Sequence, residues 1–110
     1  MEIGQVLQKL IKQKGLTQVM LAEKIGKSPT ALSQIIKGKY HPNPETFDKI
    51  CEVLEVPPAI VYFLTISEKD VPEEKRALYQ MIGPSLKSFI IQIFGEEPLE
   101  LKEKLEFNKN

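Results

Sequence analysis

The sequence GLTQVMLAEKIGKSPTALSQIIKGK occupies residues 15–39 and contains the clearest helix boundaries of the chain. Two short apolar segments meet there at Gly26, and the sequence Lys27-Ser28-Pro29 follows. A serine accepts hydrogen bonds from the unpaired N–H groups at a helix start, and proline at the first helical position loses no bond that the helix needs. The pattern therefore predicts one short helix that ends at Gly26 and a second that begins at Pro29.

Two helices of about eight residues bury too little apolar surface to be stable alone, so flanking helices are expected to complete the core. Upstream, apolar residues recur at helical spacing until Gly15, and they are Ile3, Val6, Leu7, Leu10 and Ile11. Downstream, Pro42 and Pro44 predict an extended loop. A fourth helix is expected to end before Pro57 and a fifth to begin near Pro58.

Residues 68–110 form a separate C-terminal segment. Asp70 is expected to cap a further helix, Gly83-Pro84 to end it, and another helix to begin at Pro84. Residues 96–110 alternate charge with leucines, which is compatible with a frayed helix or with disorder. No strand-like alternation of useful length occurs, so we predict an all-α chain with a five-helix domain over residues 1–67 and a C-terminal helical extension.

Charge is unevenly distributed along a chain of 110 residues whose net charge is zero. Residues 1–43 carry seven lysines against two glutamates, a net charge of +5, and the remainder carries −5. This asymmetry indicates a basic binding face and an acidic appendage, although both are also compatible with plain solvated surfaces.

The cysteine content and the hydropathy of the sequence indicate the cellular compartment in which the protein is expected. The single cysteine, Cys51, cannot form an internal disulfide, and no ligand set for a metal surrounds the sole histidine, His41. No secretion signal or membrane-length apolar run is present in the sequence. We therefore expect a protein of the cytoplasm, with no cofactor and no evident small-molecule ligand.

Residues between Val6 and Leu64 resemble the Cro/C1 (XRE) type of helix-turn-helix DNA-binding domain, found in phage repressors and bacterial regulators. The matching positions include Leu16-Thr17-Gln18, Leu21-Ala22, Ile25-Gly26, Ser28, Leu32-Ser33-Gln34-Ile35, Gly38-Lys39, residues 42–46, Ile50 and Leu54-Glu55-Val56. The resemblance implies a repressor-like fold whose third helix enters the major groove of double-stranded DNA. It covers about half of the chain and implies little beyond Ser67.

The resemblance also implies roles for individual side chains. Base contacts are expected from Thr30, Ser33 and Gln34, and phosphate contacts from Gln18, Lys27, Lys37, Lys39 and Tyr40. A glutamine can pair with the N6 and N7 atoms of adenine, whereas lysines fix the register on the phosphates. The alternative reading is that Thr30, Ser33 and Gln34 form only the solvated face of a short helix.

Three positions depart from the family pattern. Pro29 stands where relatives often carry a glutamine that reads a base, so one direct contact is expected to be missing. Many relatives bury an ion pair at the positions that Ile11 and Ile36 occupy here. Packed aliphatic side chains often replace a buried ion pair without loss of stability, so this exchange is compatible with the fold.

The C-terminal segment carries a broad apolar surface, formed by Leu86, Phe89, Ile90, Ile93 and Phe94. We expect a homodimer interface there, because symmetric proteins of this type read two half-sites; folding back onto the domain is the alternative. Lys87 is the only basic residue between Leu86 and Phe94, which argues against a membrane surface.

The predicted function is a sequence-specific transcriptional regulator, most simply a homodimeric repressor on a palindromic operator in the bacterial nucleoid. No catalytic arrangement surrounds His41, so no enzyme is predicted. Cys51 is expected to be a buried apolar residue, with redox sensing as a minor alternative. Two rival functions stay open: an antitoxin whose acidic C-terminal part covers a toxin protein, and an interaction adaptor that does not bind DNA.

Overall fold

The computed structural model describes residues 1–94, and every regular element in that range is helical, which confirms the all-α prediction. The α-helices are, in chain order, α1 (Ile3–Gln13), α2 (Gln18–Ile25), α3 (Pro29–Ile36), α4 (Pro44–Leu54), α5 (Pro58–Thr65) and α6 (Arg76–Phe94). Two single-turn 3-10 helices, Glu68–Asp70 and Glu73–Lys75, connect α5 to α6. None of the helices in this range is long and apolar enough to cross a bilayer.

Local hydrogen bonds set the boundaries of α2 and α3. The Thr17 hydroxyl accepts the Met20 N–H at 3.1 Å, and the Ser28 hydroxyl accepts the Ala31 N–H at 3.1 Å. Between them Gly26 adopts a left-handed conformation with φ of 71°, which glycine reaches without a steric penalty. The predicted ends of both helices at this turn are therefore confirmed.

The five helices α1, α2, α3, α4 and α5 share one apolar core. Its buried members are Val6, Leu7, Leu10, Ile11, Leu21, Ala22, Ile25, Leu32, Phe47, Ile50, Cys51, Leu54, Val56, Val61 and Leu64. α1 packs against α3 and α5, while α2 packs against α3 and α4. Ile11 is buried and Ile36 is packed on the edge of this core, which agrees with the aliphatic replacement read from the sequence.

The prediction that Gly83-Pro84 ends a helix is wrong, because α6 runs without interruption through Pro84. A proline inside a helix removes one hydrogen bond and destabilises it by about 3 kcal/mol. Contacts on both sides of the proline hold the two halves in line. Tyr79 and Lys87 both donate a hydrogen bond to the carbonyl oxygen of Ile66, where α5 ends.

The sequence suggested that Asp70 caps the helix that follows it, and this prediction is wrong. Its carboxylate instead accepts a hydrogen bond from the Ser67 N–H at 2.8 Å and another from the Ser67 hydroxyl at 3.3 Å. The residue therefore closes the first 3-10 turn of the connection, and α6 begins only at Arg76. The interpretation of residues 96–110 lies outside the described residues.

Candidate nucleic-acid interface

The turn after α2 presents α3 with one face buried and the other accessible. Leu32 is fully buried, and Ile35 and Ile36 pack at the edge of the core. The principal contacts of α3 are with α1 and α2, whereas those of α6 are with α1 and the 3-10 turns. The C-terminal helix therefore does not cover the outer face of α3.

Three polar side chains predicted to reach bases lie on that outer face. Thr30 is exposed, and Ser33 and Gln34 are partly exposed. Within residues 1–94 none of the three side chains takes part in a hydrogen bond, so their donors and acceptors are available to a ligand. Pro29 is exposed in front of them and has no side-chain donor or acceptor.

A basic rim surrounds the same face. Lys27, Lys37 and Lys39 are exposed, and no carboxylate lies within ion-pair distance of them in the part of the chain described. Tyr40 is 61% exposed. Such lysines attract polyanions through uncompensated charge and can contact phosphates at any sequence.

A hollow of 220 Å³ lies beside α3 and brings several predicted residues together. Lys27, Gln34 and Tyr40 all line it. His41 lines it as well, as a loop residue on the basic side of the domain. His41 therefore lies beside Lys27 and Tyr40.

Gln18, a predicted phosphate contact, is held by a residue that the sequence reading missed. Its Nε2 donates a hydrogen bond to Oε1 of Gln8 at 2.9 Å, from the first turn of α2 to the middle of α1. A carboxamide nitrogen carries two N–H donors, so one stays available to a phosphate oxygen. Gln8 gave no local signal, because the two residues are ten apart in sequence and their contact depends on how α1 and α2 pack.

The five apolar residues predicted to form a dimer interface fall on two different sides of α6. Ile90 and Phe94 pack against the core of their own domain. Leu86, Phe89 and Ile93 are 41%, 57% and 52% exposed. The exposed three continue a surface, here called the α6 stripe, whose other members are Leu78, Met81 and Ile82. Folding back and an accessible apolar surface thus coexist on one helix.

Comparisons with known proteins agree with this geometry. A helix-turn-helix family model matches residues 7–61, which is half of the chain and contains α2, the turn and α3. Searches of curated proteins and of solved structures gave no match. Members of the matching family are DNA-binding regulators. With the family model extending over half of its length, the chain belongs to the Cro/C1-type helix-turn-helix family, whose members bind DNA.

Proposed function

We propose that the protein is a sequence-specific transcriptional repressor that binds a palindromic operator as a homodimer, with no catalytic activity. The observation that carries this proposal is the outer face of α3, where three polar side chains inside a rim of lysines have no partner among residues 1–94. A helix with this combination fits the major groove, where polar groups read base edges and cations hold the backbone.

Two kinds of contact are assigned to separate residues. Thr30, Ser33 and Gln34 read bases, and Gln34 pairs with adenine through its carboxamide. Phosphate contacts come from Gln18, Lys27, Lys37, Lys39 and Tyr40. Pro29 contributes no base contact. Discrimination between the operator and other DNA sequences therefore depends on few residues and on both halves of a symmetric site.

The α6 stripe supports pairing of two copies. Its six large apolar side chains are exposed on one helix, which is unusual for a surface that stays in water. An isologous contact between two such stripes would bury both of them at once, and this is the commonest form of assembly. Two copies would then present two α3 helices to half-sites about one helical turn of DNA apart.

Selection of bound fragments from a random oligonucleotide pool tests the proposal with the full chain. We expect an enriched palindrome whose half-sites are about 10 base pairs apart from centre to centre. Affinity for that site should fall steeply with salt, because phosphate contacts release counterions. Absence of an enriched sequence together with a flat salt dependence would exclude DNA recognition.

A transcription assay on the selected site tests the repressor role. With the operator across a promoter, added protein should lower transcript yield at the concentrations that occupy the site. A Thr30→Ala, Gln34→Ala variant is the matched control, since it alters the reading face and keeps the lysine rim. An increase in transcript from the intact protein would identify an activator and contradict the repressor assignment. We place this activity in the bacterial cytoplasm, at the nucleoid.

A further inference from the structure

A second concave surface lies between α1 and α6, away from the turn that presents α3. Its volume is about 560 Å³, which is within the range of small-molecule pockets, and it is open to solvent on one side. Lys9 and Lys12 of α1 line one wall, and Lys87 of α6 lines the opposite wall. This surface is called the α1–α6 cleft below.

No acidic side chain of residues 1–94 compensates the charge of the cleft. Three ammonium groups line it, and no aspartate or glutamate is among its lining residues. In residues 1–94 the single ion pair is between Lys49 and Glu45 on α4, far from these lysines in the chain. Like charges that converge on a concave surface raise its positive potential, and a bound anion would lower their mutual repulsion.

One of the three cations is held in place before any ligand binds. The Lys87 ammonium donates a hydrogen bond to the Ile66 carbonyl and lies 5.5 Å from the centroid of the Tyr79 ring. An ammonium has three N–H donors, so the bond to Ile66 leaves others for a ligand. Because Lys87 is already ordered, binding would lose less side-chain entropy there than at a free surface lysine.

The rest of the lining combines the neutral polar residues Gln13, Ser88 and Gln92 with an apolar part. Tyr79, Pro84 and Ile91 line the α6 side, and Met1 lines the other. A ligand that consists only of a small inorganic anion would leave these side chains uncovered. An anion with an aromatic or aliphatic body would cover them and place its charge among the lysines.

We propose that the α1–α6 cleft binds a small organic anion, one sulfonate, carboxylate or phosphate group attached to an apolar body. This site is separate from the α3 face and does not depend on the proposed operator binding. Its ligand would contact both the helix-turn-helix domain and the C-terminal helix, because α1 belongs to one and α6 to the other.

Two fluorescent dyes that share an aromatic body test the proposal on the full chain. Anilinonaphthalenesulfonate carries a negative charge, and phenylnaphthylamine lacks it. We expect the sulfonate dye to bind one site per chain and to lose about tenfold in affinity in the Lys9→Gln, Lys12→Gln variant, which removes two of three attractive charges. Affinity for the neutral dye should stay within about twofold, since the apolar wall is unchanged.

Control variants distinguish the cleft from other surfaces. Lys14→Gln with Lys24→Gln removes the same net charge outside the cleft lining and should leave sulfonate affinity nearly unchanged. Phe89→Gln with Ile93→Gln alters the α6 stripe and should also leave it unchanged. The proposal is overturned if cleft and control lysines have equal effects, or if the stripe variant abolishes dye binding while the cleft variant retains it.

Discussion

Gly4 of α1 and Ile36 of α3 approach so closely that a Cβ atom on Gly4 would lie 2.0 Å from the Ile36 carbonyl oxygen. No methyl group fits at this distance, so the two helix backbones are in direct contact. Since Ile36 ends α3, the contact fixes the end of the helix that faces DNA in the proposed function. Position 4 therefore constrains the angle at which α3 is presented.

Gly4→Ala tests this constraint. Because the obstructing atoms belong to the backbone, α1 or α3 must move, and we expect a loss of about 2 to 3 kcal/mol in the free energy of unfolding. Urea denaturation followed by circular dichroism measures it. Lys12→Ala on the same helix is the control and should change stability by less than about 0.5 kcal/mol. A stability equal to that of the parent chain would show that the helices separate without cost.

Gln34→Ala and Lys39→Ala separate base reading from phosphate binding. The first change should cost about 1 to 3 kcal/mol at one base pair of the operator and relax the preference there. The second should weaken binding to all sequences alike and make the salt dependence shallower by about one unit of slope. Titrations on cognate and random duplexes measure both effects. Equal losses on the two duplexes for both variants would refute the division of roles.

Gln8→Leu tests whether the hydrogen bond at 2.9 Å positions Gln18 for a phosphate. Loss of one such bond should lower DNA affinity about threefold to tenfold, on cognate and random DNA alike. In the Gln18→Leu background the same change should have little further effect, because its partner is already gone. Gln13→Leu, on the same helix, is the matched control. Independent, additive losses from Gln8 and Gln18 would contradict the coupling.

Phe89→Asp with Ile93→Asp should convert a dimer into monomers. Both side chains are more than half exposed in the single chain, so the charges are tolerated in a monomer and disfavoured in an apolar interface. Light scattering gives the mass directly. Ala77→Asp, an exposed position on the first turn of α6, is the control for an added charge and should keep the dimer. A double variant with the mass of the parent would rule out this surface as the interface.

From the raised pKa of the Cys51 thiol we expect the free energy of unfolding to depend on pH. Burial raises the pKa of its thiol to about 11, and the neighbouring Asp48 carboxylate adds to the rise, whereas the ordinary value is 9.0. Between these values the unfolded chain loses the proton and the native chain keeps it, so stability falls as pH rises. Relative to Cys51→Ala, the parent should lose about 2 kcal/mol of unfolding free energy from pH 9 to 11.

The same burial bears on redox sensing. A protonated, 2% exposed thiol reacts slowly, because the thiolate is the nucleophile. Reaction of the native chain with a disulfide reagent at pH 8 should be slower than that of the unfolded chain by orders of magnitude. A native rate close to the unfolded rate would indicate an accessible, sensing cysteine, and parallel pH profiles of the parent and Cys51→Ala would contradict the shifted pKa.

The first five helices were predictable because their boundaries are set by neighbours in sequence. Thr17 and Ser28 each cap the helix that follows them, and Gly26 supplies the left-handed residue between. The course of α6 was not predictable by the same means. A local rule ends a helix at Pro84, and the hydrogen bonds from Tyr79 and Lys87 that override it reach across the tertiary structure.

For the candidate interface, the burial pattern of α3 was predictable from the sequence. The exposed and buried sides of α3 followed from helical periodicity around Leu32. The role of Gln8 and the division of the apolar residues of α6 did not, because both depend on which helix packs against which. Ile90 and Phe89 are adjacent and both apolar, yet one packs on the core and the other faces solvent.

The carbonyl oxygen of Ile66, which receives both Tyr79 and Lys87, belongs to the main chain. An acceptor of that kind is present whichever amino acid occupies the position, apart from shifts in backbone geometry. These two hydrogen bonds of the C-terminal helix therefore depend on the side chains of Tyr79 and Lys87 and not on the side chain at residue 66. Sequence drift in the connecting segment can then proceed while the relative placement of the two parts is inherited unchanged.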